Sequence, residues 1–197
     1  MAAVFTGHRP VQRLQITDRW SWPPFGKANL GVVIDHLTGE FAGYEFAELT
    51  YAYTGRRAGQ SVIGVTVVGL PVGLPPLQVG PDSRATFPIP GLLSYDLNLR
   101  NETFNRPLRV QAQDLRYATD MLNPRAVEAL LTVEPFIWRI DGCDLIAFSQ
   151  PLRDPAQILR RLEVLTTITA YIPSFVLDDH GTDSCHCIPN EHGHHRP

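Results

Sequence analysis

The stretch Ser61–Leu70, SVIGVTVVGL, decides the fold. Val, Ile and Thr branch at Cβ, which suits a pleated strand better than a helix. Apolar side chains stand at nearly every position instead of every second one, so the strand should be central and covered on both faces. Towards the N-terminus, Gly31–His36 is again rich in Val and Ile. Tyr44-Glu45-Phe46 and Tyr51-Ala52-Tyr53 alternate aromatic with other residues, which gives a strand one apolar face. Thr38-Gly39 and Thr54-Gly55 are the turn candidates. Connections this short predict antiparallel hairpins, because a parallel crossover needs a dozen residues or more.

Towards the C-terminus, Pro71, Pro75, Pro76, Pro81, Pro88 and Pro90 interrupt the pattern, and residues 71–91 read as a chain crossing the surface of its own domain. Residues 95–100 and 107–112 alternate cleanly and predict a second pair of half-exposed strands. Asp114 can cap a short helix through Met121. Asn123-Pro124 supplies a second cap with Pro at the first helical position, and Ala126, Val127, Leu130 and Leu131 share a face after it. Phe136–Ile140 and Asp144–Phe148 flank Asp141-Gly142, a hairpin signal. The longest helix should start at Pro155 behind the cap Asp154 and run to about Tyr171, with Ile158, Leu162, Leu165, Ile168 and Ile172 as its buried stripe. Arg160, Arg161 and Glu163 lie off that stripe, and Pro173 ends the helix.

The resulting expectation is an α+β fold: mainly antiparallel sheet, two short helices in the middle, and one long C-terminal helix packed on the sheet. Residues 1–27 read as an irregular segment packing on the body, its Trp20, Trp22, Pro23, Pro24 and Phe25 capping the core or forming a docking patch. Residues 28–177 form a single domain, and 178–197 a disordered His/Cys-rich tail.

The chain has 197 residues and a net charge of -3, and its longest Lys/Arg runs are the pairs Arg56-Arg57 and Arg160-Arg161. That balance argues against nucleic acid as a partner. No secretory signal or membrane-length apolar run is visible, and Cys143, Cys185 and Cys187 read as reduced thiols, with Cys143 standing alone. A cytoplasmic location is expected, with peripheral membrane association open.

The residues Glu102-Thr103-Phe104-Asn105-Arg106-Pro107-Leu108-Arg109-Val110, then Asp114, Tyr117-Ala118 and Leu122-Asn123-Pro124-Arg125, resemble a signature of uncharacterised actinobacterial proteins. In that family an E-x-x-F-N-x-x-F/L-x-V strand leads into D-x-x-Y/F-A and then L-x-P-R. Arg19-Trp20…Pro24-Phe25, the strands around Phe46 and Tyr51, Leu74–Val79 and the helix ending at Ile172-Pro173 fit the same pattern, so the resemblance spans residues 18–177. Pro107 inside the signature strand and the tail are departures. Members often carry the domain beside predicted membrane helices. The resemblance implies a domain of unknown function and no activity.

The tail is the sharpest local signal for chemistry. His180, Cys185, His186, Cys187, His192, His194 and His195 offer the thiolate and imidazole ligands that Zn, Ni and Cu prefer, although C-x-C is not the C-x₂-C spacing of structural zinc sites. In the body, Asp35-His36 is an acid–imidazole pair whose members should point to opposite faces of a strand. Glu40, Glu45 and Glu48 read as a solvated face. Asn105 and Asp114 read as structural caps, and Arg106 and Arg109 as surface partners of acids. No nucleophile elbow, phosphate loop, dinucleotide fingerprint or H-E-x-x-H motif occurs. The chain is therefore expected to be a non-enzymatic protein-interaction or scaffold module, binding a protein partner or itself, with no catalytic residue and no resident cofactor. Transition-metal binding or delivery through the tail is the alternative. An enzyme with an unrecognised site is the third reading, which a deep pocket lined by converging Asp, His or Arg would favour.

Overall fold

A computed structural model describes residues 4–10, 19–20, 22–25, 31–55, 59–81, 87, 89–97, 108–131, 136–152 and 154–182. The strands are β1 (Val4–Pro10), β2 (Gly31–Phe41), β3 (Tyr44–Gly55), β4 (Gly59–Pro81), β5 (Leu93–Leu97), β6 (Leu108–Ala112) and β7 (Ile137–Ser149). The helices are α1 (Leu115–Met121), α2 (Pro124–Leu131), α3 (Pro155–Ala170) and α4 (Ser174–His180). The architecture is α+β, with a mainly antiparallel sheet.

All of these strands join one sheet in the order β1-β2-β3-β4-β6-β5, with β7 also paired to β4. The organising strand is β4. Its first half has β3 on one edge and β7 on the other, since Val65 lies across from both Leu49 and Phe148. Its second half has β6 and β7, since Leu77 lies across from both Ala112 and Ile140. Two edges occupied along most of its length, and layers on both faces, explain why its sequence is continuously apolar.

Two expectations fail here for one reason: β4 and β7 run on where breaks were expected. Residues 71–81 do not cross the surface but continue β4. Pro71, Pro75 and Pro76 fall between Gly69 and Leu77, where the pairing with β7 shifts register and a missing N–H costs little. Asp141-Gly142 does not close a hairpin. β7 passes straight through it, and Gly142, at φ 61, sits across from Leu74 within that irregular stretch. Thr38-Gly39 lies inside β2, and the β2–β3 turn is Ala42-Gly43, with φ of 55 and 85, as a two-residue hairpin with the native twist requires. The two aromatic segments of β3 belong to one strand. The opening 27 residues are not wholly irregular either, because Val4–Pro10 pairs with β2.

The helices form on their caps. Asp114 accepts from the Tyr117 N–H at 2.7 Å, Asn123 from the Ala126 N–H at 3.1 Å, and Asp154 from the Ala156 N–H at 2.9 Å. Ile158, Leu162, Leu165 and Ile168 on α3 pack with Val68, Leu77, Val79 and Ile140 of the sheet in the larger core. The chain stays ordered beyond Leu177: α4 ends at His180, whose ring lies 5.0 Å from that of Tyr117, and Thr182 bridges Gly73 of β4. Cys143 is disulfide-bonded, not a lone thiol, and the chain's other cysteines, Cys185 and Cys187, lie outside the described residues. The cytoplasmic expectation thereby loses its support from reduced thiols.

The second face of the sheet is covered by Trp20 and Phe25, 3% and 1% exposed, which pack on Leu49, Tyr51, Val65 and Phe148. Trp20 and Phe25 are thus core, while Trp22 is half-buried. Asp144 on β7 holds them: its carboxylate accepts from Arg19 Nε and Nη2, each at 2.6 Å, and from Trp20 Nε1 at 2.7 Å. Asp144→Ala should destabilise the protein by about 3–5 kcal/mol in urea unfolding, because it leaves a part-buried guanidinium and a buried indole N–H without an acceptor. Trp20 emission should shift to the red in the same variant.

Candidate functional site

The site follows from how the helix layer ends. Side chains alternate along β3: Ala47, Leu49 and Tyr51 join the Trp20/Phe25 core, while Phe46 faces the helices. Glu48 and Thr50 share the phase of Phe46. Three rows therefore cross the helix-facing side of β2, β3 and β4 in register: Leu37–Glu48–Thr66, then Asp35–Thr50–Gly64, then Val32–Ala52–Val62. The chain crosses the middle row as it approaches α3. A Cβ on Gly64 would meet the Gln150 carbonyl oxygen at 2.7 Å, so glycine is needed for that passage. In the last row the two outer side chains are exposed, Val32 at 51% and Val62 at 41%, with Ile34 beside them at 45%, while Ala52 between them is buried.

Beneath this overhang lies a cavity of about 590 Å³. Ile34, Leu37, Val62, Leu152 and Ile158 give it apolar walls, with Pro151 and Pro155 at the approach to α3. Asp35, His36, Glu48 and Thr50 also line it. The volume suits a small molecule or one apolar group of a larger one.

Glu48 is the decisive residue. It is 6% exposed, so the expectation that it belongs to a solvated face is overturned. The Thr66 hydroxyl donates to its Oε2 at 2.5 Å. Burial pushes its carboxyl up to about 7, against the opposing pull of the Thr66 hydrogen bond and the Arg161 charge. Arg161, expected off the buried stripe of α3, sits 4.6 Å over the Phe136 ring, and burial lowers its own pKa against the pull of Glu48. His36 lies across from Leu49, on the other face from Glu48, and its Nδ1 is buried without a hydrogen-bond partner among the described residues. The register therefore brings Asp35 and Glu48 to one face and separates both from the imidazole. The missed signal was the two-residue step from Phe46 to Glu48, which puts a carboxylate on the buried face.

The other candidates divide plainly. Asp114 is a helix cap, Arg109 lies half-buried on β6, and Glu40 and Glu45 are exposed across from one another. Asn105 and Arg106 lie outside the described residues, as do Cys185, His186, Cys187, His192, His194 and His195. Among the described residues no group of three or more His, Cys, Asp or Glu could hold a metal ion, and no helix is long and apolar enough to cross a membrane. His180 packs on Tyr117.

No family model and no curated protein matches the chain. Among solved structures it is similar to the crystal structure of the mycobacterial trehalose monomycolate transport factor A, TtfA, with a TM-score of 0.57 and 11% identity over 89% of this chain and 86% of that one. At that identity the likeness shows the fold alone. A mycobacterial neighbour is compatible with the actinobacterial resemblance of the signature.

The buried carboxyl has a measurable consequence for stability. In the unfolded chain Glu48 titrates near 4.5, and in the folded protein near 7, so between those values the folded state holds a proton that the unfolded state has lost. Stability from this group is complete below about pH 4.5 and declines as pH rises through 7, by about 3 kcal/mol in all. Asp141, raised by burial to about 6, adds a smaller loss of the same sign. Urea unfolding from pH 4.5 to 8 should show that Glu48→Gln removes most of the decline and is more stable than the parent at pH 8.

Proposed function

We propose that this chain is a non-enzymatic interaction module that recognises its partner by drawing an apolar group into the pocket over Glu48. The observation that carries this reading is the exposure of Val32, Ile34 and Val62 beside a cavity of about 590 Å³. A monomeric domain gains nothing from leaving three β-branched side chains exposed around a pocket, and such patches mark binding surfaces. The neighbour TtfA is by name a transport factor, a role compatible with binding rather than turnover. Nothing in the described residues adds support to metal delivery through the tail.

A second reading has one observation behind it. A carboxyl titrating near 7 in a cavity that Asp35 also lines is suited to proton transfer, which keeps an unrecognised enzyme in view. Turnover of any substrate that fails in Glu48→Gln without loss of binding would favour it.

The binding reading is tested with an environment-sensitive apolar dye. It should bind the native protein saturably at one site, and Val62→Trp, which fills the mouth of the pocket from an exposed position, should weaken binding at least roughly tenfold with an unchanged melting temperature. Equal binding by the variant would place the dye elsewhere and remove the pocket's claim.

A further inference from the structure

We propose that the pocket binds a lipophilic organic cation, a protonated amine or quaternary ammonium carrying a hydrocarbon chain. This rests on the pocket being the binding site, as proposed above, and goes on to name its ligand class.

The chemistry of the walls selects the charge. Two acidic residues, Asp35 and Glu48, line the pocket from one face of the β2–β3 ladder, and no Lys or Arg lines it. Glu48 is 6% exposed; Thr66 occupies Oε2, and Oε1 has no hydrogen bond among the described residues. A buried carboxyl open to a cavity on one side is costly when ionised unless a positive charge meets it there. A chain bearing an anion would bring a further negative charge against these carboxyls. A neutral chain would fill the apolar walls and leave the ionised carboxyl unanswered. A cation on a hydrocarbon chain satisfies both parts, with the chain on Ile34, Leu37, Val62 and Ile158.

The groups around Glu48 set the pH dependence. Thr66 faces it from β4, Leu37 and Asp35 from β2, Thr50 on its own strand, and Arg161 from α3, and the titratable His36 of β2 lines the same pocket. Arg161 favours the ionised carboxylate but stays over Phe136 and makes no ion pair of 4 Å or less with Glu48 among the described contacts, so the cavity side remains available to a ligand. Glu48 ionises as pH rises through about 7, and a cation should bind more tightly over the same interval.

The test is isothermal titration calorimetry of the full chain with three ligands of equal chain length below their micelle concentrations: dodecyltrimethylammonium, dodecyl maltoside and dodecanoate. The quaternary ion cannot titrate, so any pH dependence belongs to the protein. The expected result is one-to-one binding of the cation, roughly tenfold tighter at pH 8 than at pH 6, as the ionised fraction of one group near 7 requires. Dodecanoate and the maltoside should bind more weakly at pH 8, and Glu48→Gln should bind the cation more weakly with the pH dependence gone. Should that variant fail to fold, the pH series on His36→Gln decides the matter: the tenfold gain should persist there, and its loss would assign the dependence to the imidazole and overturn the role of Glu48. Equal, pH-independent binding of cation and maltoside would overturn the cation assignment and leave the pocket as the binding site. No binding of any of the three would overturn both.

Discussion

Strand β4 is the constraint on which the rest of the molecule depends. It must pair with β3 and then β6 on one edge while β7 follows the other, and it must present apolar side chains to two layers at once. Its Val65 and Val67 serve the Trp20/Phe25 layer, while its Val68, Leu70, Leu74, Leu77 and Val79 serve the helix layer. The irregular pairing between Gly69 and Leu77 lets one strand carry two partners in succession, and Pro71, Pro75 and Pro76 are tolerated there because ladder bonds are interrupted there anyway. The same stretch anchors the end of α4 through the Gly73–Thr182 bridge.

The two layers are held by different physics. The helix side is an aliphatic core with a buried stripe on α3. The other side contains charged and polar groups under an aromatic cover: Asp144 clamps Arg19 and Trp20, and Arg139 lies under the same cover. Arg139 is fully buried and donates to the carbonyls of Pro23 and Phe87 and to Gln78 Oε1. These bonds join the cover to β4 and β7, and burial lowers the Arg139 pKa to about 10, against the pull of Asp141, which leaves it charged at neutral pH. Directional bonds of this kind fix how the segment lies, where an apolar surface alone would allow it to slide. The pocket lies on the opposite, aliphatic side, where α3 begins short of the sheet's end, and Glu48 is the one acid that the alternation of β3 carries into it.

Local signals in the sequence were legible where one rule acted alone. The caps Asp114, Asn123 and Asp154, the stripe from Ile158 to Ile172, and the double-sided burial of Gly64–Val68 each follow from a single local preference. Misreadings arose where tertiary pairing overrode a local signal. Asp141-Gly142 is a strong turn pair, yet β4 offers β7 an unbroken edge and the pair is drawn through as an irregularity. Pro71 to Pro76 forbid a regular ladder and were read as the end of a strand, though only a few bonds had to be given up. The candidate site was less legible than the fold. Its carboxylates are ordinary acids in sequence, and what distinguishes Glu48 is the alternation with Phe46 together with the point at which α3 starts. Of the seven His and Cys residues in the tail, conspicuous in composition, His180 alone lies among the described residues.

A buried carboxyl facing an apolar pocket is the central feature of the molecule, and carbon-13 NMR of the Glu48 side-chain carboxyl across a pH titration tests it most directly. A midpoint near 7 is predicted, with the Glu48→Gln spectrum identifying the signal. A midpoint in the ordinary range near 4.5 would mean that water reaches the carboxylate freely, and the pH-dependent stability and the ligand class inferred from the buried carboxyl would fall together.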